Sequence, residues 1–215
     1  MNILLSSYSF GANRGSEAGV GWNVARGLVS RGHNVAVVTT HEFTEINHEA
    51  IAKEGLSIRL LEEDCGVSHY ASSASYRQWQ RKIASVIRKE TSRNQYDVIH
   101  HITFNQYRNI HDVFAAELPY VIGPVGGSEK IPFPLMLYGD LPLRMRIKEM
   151  LRYVAWDALP LVFRCKRHRL HGQVLVSNIS TAERLKSLPV APVICPAIAI
   201  QEDEIVEKPT LAYTN

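Results

Sequence analysis

The chain has 215 residues, 46% of them hydrophobic and 21% charged, which suits one substantial soluble α/β domain with a buried core and is short for two. No apolar run reaches transmembrane length, and Asn13, Arg14 and Glu17 interrupt the first hydrophobic stretch before a signal pattern can form, so a cytoplasmic location is expected. The net charge of +3 is unevenly placed, because residues 141–171 carry eight Lys or Arg against two acids while the rest carries 16 against 19. That asymmetry implies an anionic partner for one face; no nucleic-acid partner is expected.

The first apolar run, Ile3 to Ser6, predicts a strand, and the stretch after it predicts a loop with Gly11 and Gly15 followed by a helix. Ser16 is placed to cap that helix, Glu17 lies in its first turn, Val20, Val24, Ala25 and Leu28 form one apolar face, and Gly32 fits the residue just past its end. Strand, loop, helix and the strand Val35 to Thr39 then make the opening βαβ of a doubly wound α/β fold. Two readings of the loop stay open. It is either a corner whose glycines ease the turn, or a ligand-facing loop aiming the helix N–H groups and dipole at an anion. Gly19, Gly21 and Val24 imitate a dinucleotide fingerprint but lie inside the helix, and Gly11 to Ser16 lacks the lysine of a P-loop.

Further strands are predicted at Leu56 to Leu60, Val98 to Ile102, Tyr120 to Gly123, Val174 to Ser177 and Val193 to Cys195. Tyr76, Trp79, Ile83, Val86 and Ile87 share one helical face, and so do Leu143, Ile147, Met150, Leu151 and Val154 in the basic segment. Cys65, Cys165 and Cys195 are odd in number and widely spaced, so neither a disulfide framework nor a metal site is expected. Residues 1–201 read as one mainly parallel Rossmann-like domain. Residues 202–215, with Glu202, Asp203, Glu204, Glu207 and Pro209, read as a linker approaching another strand.

His100 and His101 end the predicted strand at Val98; alternation sends them to opposite faces, so at most one faces a cleft directly, and the bland assignment is one core histidine and one strand-end cap. Thr103, Asn105 and Arg108 follow in a loop suited to sugar hydroxyls or to a solvated turn. Gly126 and Gly127 allow close backbone approach, and Glu129 brings a carboxylate to the same edge, either as a site group or as a solvated side chain. Around the apolar face of the basic segment stand Arg144, Arg146, Lys148 and Arg152. That pattern fits a helix packed on the sheet with solvated charges, or a surface docking on anionic lipid.

Four segments together, NRGSEAGVGWNVARGL, RGHNVAVVT, DVIHHITF (Asp97 to Phe104) and PYVIGPVGGSE (Pro119 to Glu129), resemble the amino-terminal, acceptor-side domain of GT-B-fold retaining glycosyltransferases of the large family 4-like group. The resemblance implies one half of a GT-B enzyme that moves a sugar from a UDP- or GDP-linked donor to a glycan or lipid-linked acceptor in bacterial surface polysaccharide synthesis. It implies no metal and no cofactor beyond the nucleotide-sugar. The loop with Gly11, Arg14, Gly15 and Ser16 would face the donor diphosphate, and Thr103, Asn105, Arg108, Gly126, Gly127 and Glu129 the acceptor. The family's donor-binding residues would come from a missing carboxyl-terminal domain or a separate chain, so this chain alone is expected to be incomplete. The histidine that often follows the fifth strand in the family is not matched here, which leaves His100, His101 and Glu129 as candidates for a catalytic base. A location at the inner face of the cytoplasmic membrane accords with the family. The alternatives are a nucleotide-sugar epimerase of the same fold and a non-catalytic binding or anchoring subunit.

Overall fold

Short apolar runs form the strands because a parallel strand covered on both faces needs no polar alternation. The computed structural model describes residues 1–62, 73–104, 117–126, 132–138, 141–151, 171–186 and 191–195. Seven strands, β1 (Asn2–Ser6), β2 (Asn34–Thr39), β3 (Ile58–Glu62), β4 (Val98–His101), β5 (Tyr120–Val125), β6 (Gly172–Val176) and β7 (Val193–Ile194), pair in parallel in the order β3-β2-β1-β4-β5-β6-β7. The helices are α1 (Ser16–Ser30), α2 (Thr44–Glu54), α3 (Ser73–Arg93), α4 (Phe133–Tyr138), α5 (143–151) and α6 (Ile179–Leu185). This is the Rossmann-like, doubly wound architecture expected from the sequence.

Alternation along each strand divides the core into two layers. Leu4, Ala36, Val38, Ile99, Ile122 and Val174 face one layer, where Tyr76, Trp79, Ile83 and Ile87 of α3 cover them. Each buried isoleucine there contributes about 2 kcal/mol relative to exposure, so tertiary burial holds α3 more than intrinsic propensity does. Leu5, Val35, Val37, Ile58 and Ile102 face the other layer, under α1 and α2. The most buried line on α1 is Ala18, Gly21, Trp22 and Ala25, while Val20, Val24 and Leu28 are half-buried beside it, so the helix is rotated from the face anticipated.

Two local expectations are corrected. Gly15, extended at φ −78° and ψ 173°, is the cap of α1, and Ser16 is its first helical residue rather than its cap. The third strand begins at Ile58 rather than Leu56, because α2 runs to Glu54 and closes through left-handed Gly55, with Leu56 N donating to Ile51 O. At the end of α1, by contrast, Gly32 sits at φ 79° and His33 N donates to Leu28 O at 3.2 Å, the Schellman closure its position implied.

Candidate functional site

In an open parallel sheet the ligand crevice lies outside the carboxyl ends of the strands where the strand order reverses. Here β1 lies between β2 and β4, so the reversal falls between β1 and β4, and the loops leaving these two strands meet. Ile102 N donates to Ser6 O at 3.0 Å, Ser9 N to Thr103 Oγ1 at 3.2 Å, and Ser7 Oγ lies 3.3 Å from the same oxygen. Across the same junction Phe104 N donates to Glu17 Oε2 at 2.9 Å, tying the β4 loop to the first turn of α1.

The β1 loop is pinned on its other side by Asn47. This fully buried α2 side chain donates to Phe10 O at 2.8 Å and accepts from Ala12 N at 3.2 Å. Thr40 Oγ1 adds a bond to Tyr8 O at 3.1 Å. Beneath the loop two helical glycines make room for it: a Cβ on Gly19 would stand 2.1 Å from Arg14 O, and one on Gly21 would stand 2.5 Å from Ser7 Oγ and 3.0 Å from Ser9 O. The loop therefore lies directly on α1, and only its tip, Asn13 to Gly15, is exposed. A Cβ on Gly15 would meet nothing within 4 Å, so neither space nor backbone angle requires glycine there within this chain. The Arg14 guanidinium sits 5.2 Å from the Phe43 ring centroid, and among the described residues no carboxylate pairs with it. Such a cation–π contact holds the group over the ring while its N–H edge stays hydrated.

Among the described residues two that are not glycine adopt positive φ, Asn13 and Phe104, both at 54°, and each lies in one of the two loops that meet at the reversal point. Outliers of this kind gather at functional sites, where the surroundings hold them in place.

The two histidines separate as alternation requires. His101 is fully buried; its Nε2 lies 2.8 Å from Tyr76 Oη and its Nδ1 3.3 Å from Ser6 Oγ. Gln80 donates to the Tyr76 oxygen at 3.1 Å, which leaves the phenol proton for His101 Nε2. His101 is thus a core histidine and out of reach of a substrate. His100 Nε2–H donates to Gly123 O at 3.1 Å. Burial pushes its pKa down to about 4, with His101 adding to the shift and the Gly123 bond opposing it. A group at that value is a poor general base near neutrality. Burial takes His101 out of the candidates for a base, and the lowered pKa takes out His100.

Of the remaining expected site residues, Thr103 is fully buried in the loop junction and serves as a stitch rather than a surface hydroxyl. Gly126 is half-buried, where a Cβ would come 3.0 Å from Ser177 Oγ. Asn105, Arg108, Gly127, Glu129 and Arg152 lie outside the described residues, as do Cys65, Cys165 and the stretch 202–215. The structure brings together Gly11, Arg14, Gly15, Ser16 and Thr103. It adds Asn47, which no motif singled out, and gives a role in seating the loop to Glu17, Gly19 and Gly21, which the sequence showed only as a first-turn acid and a false fingerprint. The signal for Asn47 was present as a lone amide between Ile46 and Ala50 on an otherwise apolar helix face.

No protein-family model and no curated protein matches the chain. Among solved structures it is similar to one described as "AtPrR2 in apo form", at 14% identity and a TM-score of 0.35. The match covers 82% of this chain and 48% of that one, so the chain spans about half the length of its neighbour. A likeness at this level carries no argument about function.

Proposed function

We propose that this chain is the acceptor-side domain of a retaining glycosyltransferase, and that the tip Asn13 to Gly15 faces the diphosphate of a UDP- or GDP-linked sugar. One observation carries the reading. The reversal of strand order opens on a loop anchored from three sides, whose exposed tip presents, at the start of a helix, a side-chain-free Gly15 and an arginine stacked on Phe43 that no carboxylate among the described residues pairs with. Backbone N–H groups at a helix start and a guanidinium suit a pyrophosphate. The Glu17 carboxylate in the same turn is oriented toward Phe104 N, and Arg14 and the helix end supply the positive side of the site. The acceptor, a glycan or a lipid-linked glycan, would lie against the β4 and β5 loops, and a second domain or chain would supply the rest of the donor site.

Calorimetry with UDP, GDP and their sugar conjugates tests the reading. Binding is expected to be weak and to fall about tenfold, roughly 1.4 kcal/mol, in Gly15→Val. Equal affinity in parent and variant would remove the tip from the site. Conversion of a nucleotide-sugar without any acceptor would replace the transferase reading with an epimerase.

A further inference from the structure

The amino edge of the sheet, opposite the Arg14 tip, holds a cavity of about 330 Å³, at the small end of the range for ligand pockets. It opens where the chain enters β1, β2 and β3 and approaches β4, four strands that lie side by side. Its buried lining, Val35, Ala36 and Ile58, is apolar. Its exposed rim of Asn34, Ser57, Asn94 and Gln95 is polar and uncharged.

The walls are already braced. Glu90 accepts from Arg59, from Tyr96 Oη at 2.6 Å and from Asn94 Nδ2 at 2.8 Å, and Arg59 donates to the Tyr96 oxygen as well. On the other side Asn2 Nδ2 donates to Gln95 O at 3.2 Å, and Asn34 Nδ2 donates to Asn2 Oδ1 at 2.9 Å. These bonds use up amide donors and leave acceptors over. Asn34 Oδ1 and Asn94 Oδ1 accept nothing, and the Ser57 hydroxyl and the Gln95 carboxamide make no hydrogen bond, among the described residues.

We propose that this cavity binds a neutral sugar unit, its hydroxyls on the free carboxamide oxygens, Ser57 and Gln95, and its C–H face on the apolar lining. Charge narrows the choice. Arg59, the one charged residue lining the cavity among the described residues, is matched by Glu90, and residues just past the carboxyl ends of α2 and α3 line the same space. The negative dipole ends of two helices oppose an anion there. A cation finds no spare carboxylate, since Glu90 is held by three donors and Asp97 Oδ2 accepts from Asn2 N at 2.7 Å. Burial and the Glu90 bond push the Tyr96 phenol up to about 12, so it too stays neutral. What fits is an uncharged ligand that donates hydrogen bonds from several positions and carries an apolar face, and carboxamides and a hydroxyl can both accept from and donate to its hydroxyls. The cavity shares no residue with the Asn13 to Gly15 tip, so the inference is independent of the glycosyltransferase reading.

The test is an amide-resolved NMR titration of the purified chain with glucose, galactose, mannose and N-acetylglucosamine. At least one sugar is expected to shift the amides of Ser57, Asn94 and Tyr96 saturably while those of Asn13 to Gly15 stay in place. Ser57→Ala with Gln95→Ala should weaken that binding about tenfold, and Ser57→Trp, which fills the mouth of the cavity, should abolish it. Both positions are exposed and their side chains bond to nothing among the described residues, so both variants should melt with the parent. No saturable shift at the highest soluble concentration of any of the sugars overturns the proposal. So do shifts that persist unchanged in both variants, and shifts confined to the tip, which would belong to the site proposed above. Inorganic phosphate moving the cavity amides where no sugar does would assign the space to an anion instead.

Discussion

Gly15 and Gly19 stand four residues apart on the same loop–helix junction, and substituting each by alanine separates ligand contact from packing. In Gly19→Ala the new methyl would stand 2.1 Å from Arg14 O, a backbone atom that cannot rotate away. Overpacking of this kind costs typically about 1–3 kcal/mol, and a backbone partner places it at the upper end. Alanine returns about 1 kcal/mol through helix propensity. The net expectation is a loss of about 2 kcal/mol, which for a chain of this size lowers Tm by about 4–8 °C. Gly15→Ala meets no atom within 4 Å and keeps an extended backbone open to any residue, so only alanine's poorer capping counts and Tm should fall by no more than about 2 °C. Urea and thermal unfolding of the two variants beside the parent measure both numbers. A Gly19→Ala protein as stable as the parent would refute the reasoning, because the loop would then not rest on α1 as described. A Gly15→Ala protein that loses as much stability as Gly19→Ala would show that this glycine serves the fold rather than a ligand.

Removing Asn47 as Asn47→Leu strands Phe10 O and Ala12 N in a buried setting. A loss of about 2–3 kcal/mol in urea unfolding is expected, with faster amide exchange at Ala12, and unchanged exchange there would mean that other contacts hold the loop. His100 gives a pH signature. Its folded pKa is pushed down to about 4, below the unfolded value, so the unfolded chain takes up the proton first and stability falls as pH drops from about 6.5 toward 4. His100→Gln, which keeps an N–H donor toward Gly123 O, should flatten that part of the stability profile; an unchanged slope would assign the acid sensitivity to other groups.

The seven strands of the described residues were legible in the sequence as short apolar runs, which the central strands owe to cover on both faces, and the 3.6-residue period of α3 was legible because Tyr76, Trp79, Ile83 and Ile87 are all buried on one side. The glycine just past α1 was likewise readable, since left-handed closure is a local requirement. What lies beyond local pattern was decided only in three dimensions. The order of the strands, and hence which two loops meet, depends on pairings between residues such as Leu5 and His100 that are remote in sequence. The sorting of His100 from His101 depends on Tyr76, Gln80 and Gly123 arriving from other elements. Gly19 looked like a flawed motif because its reason, the Arg14 carbonyl against it, exists only once the loop folds back on the helix. The direction of the apolar stripe on α5 follows the same rule: periodicity states that a face exists, and only the packing of the whole domain settles whether that face turns inward or, as here, toward solvent.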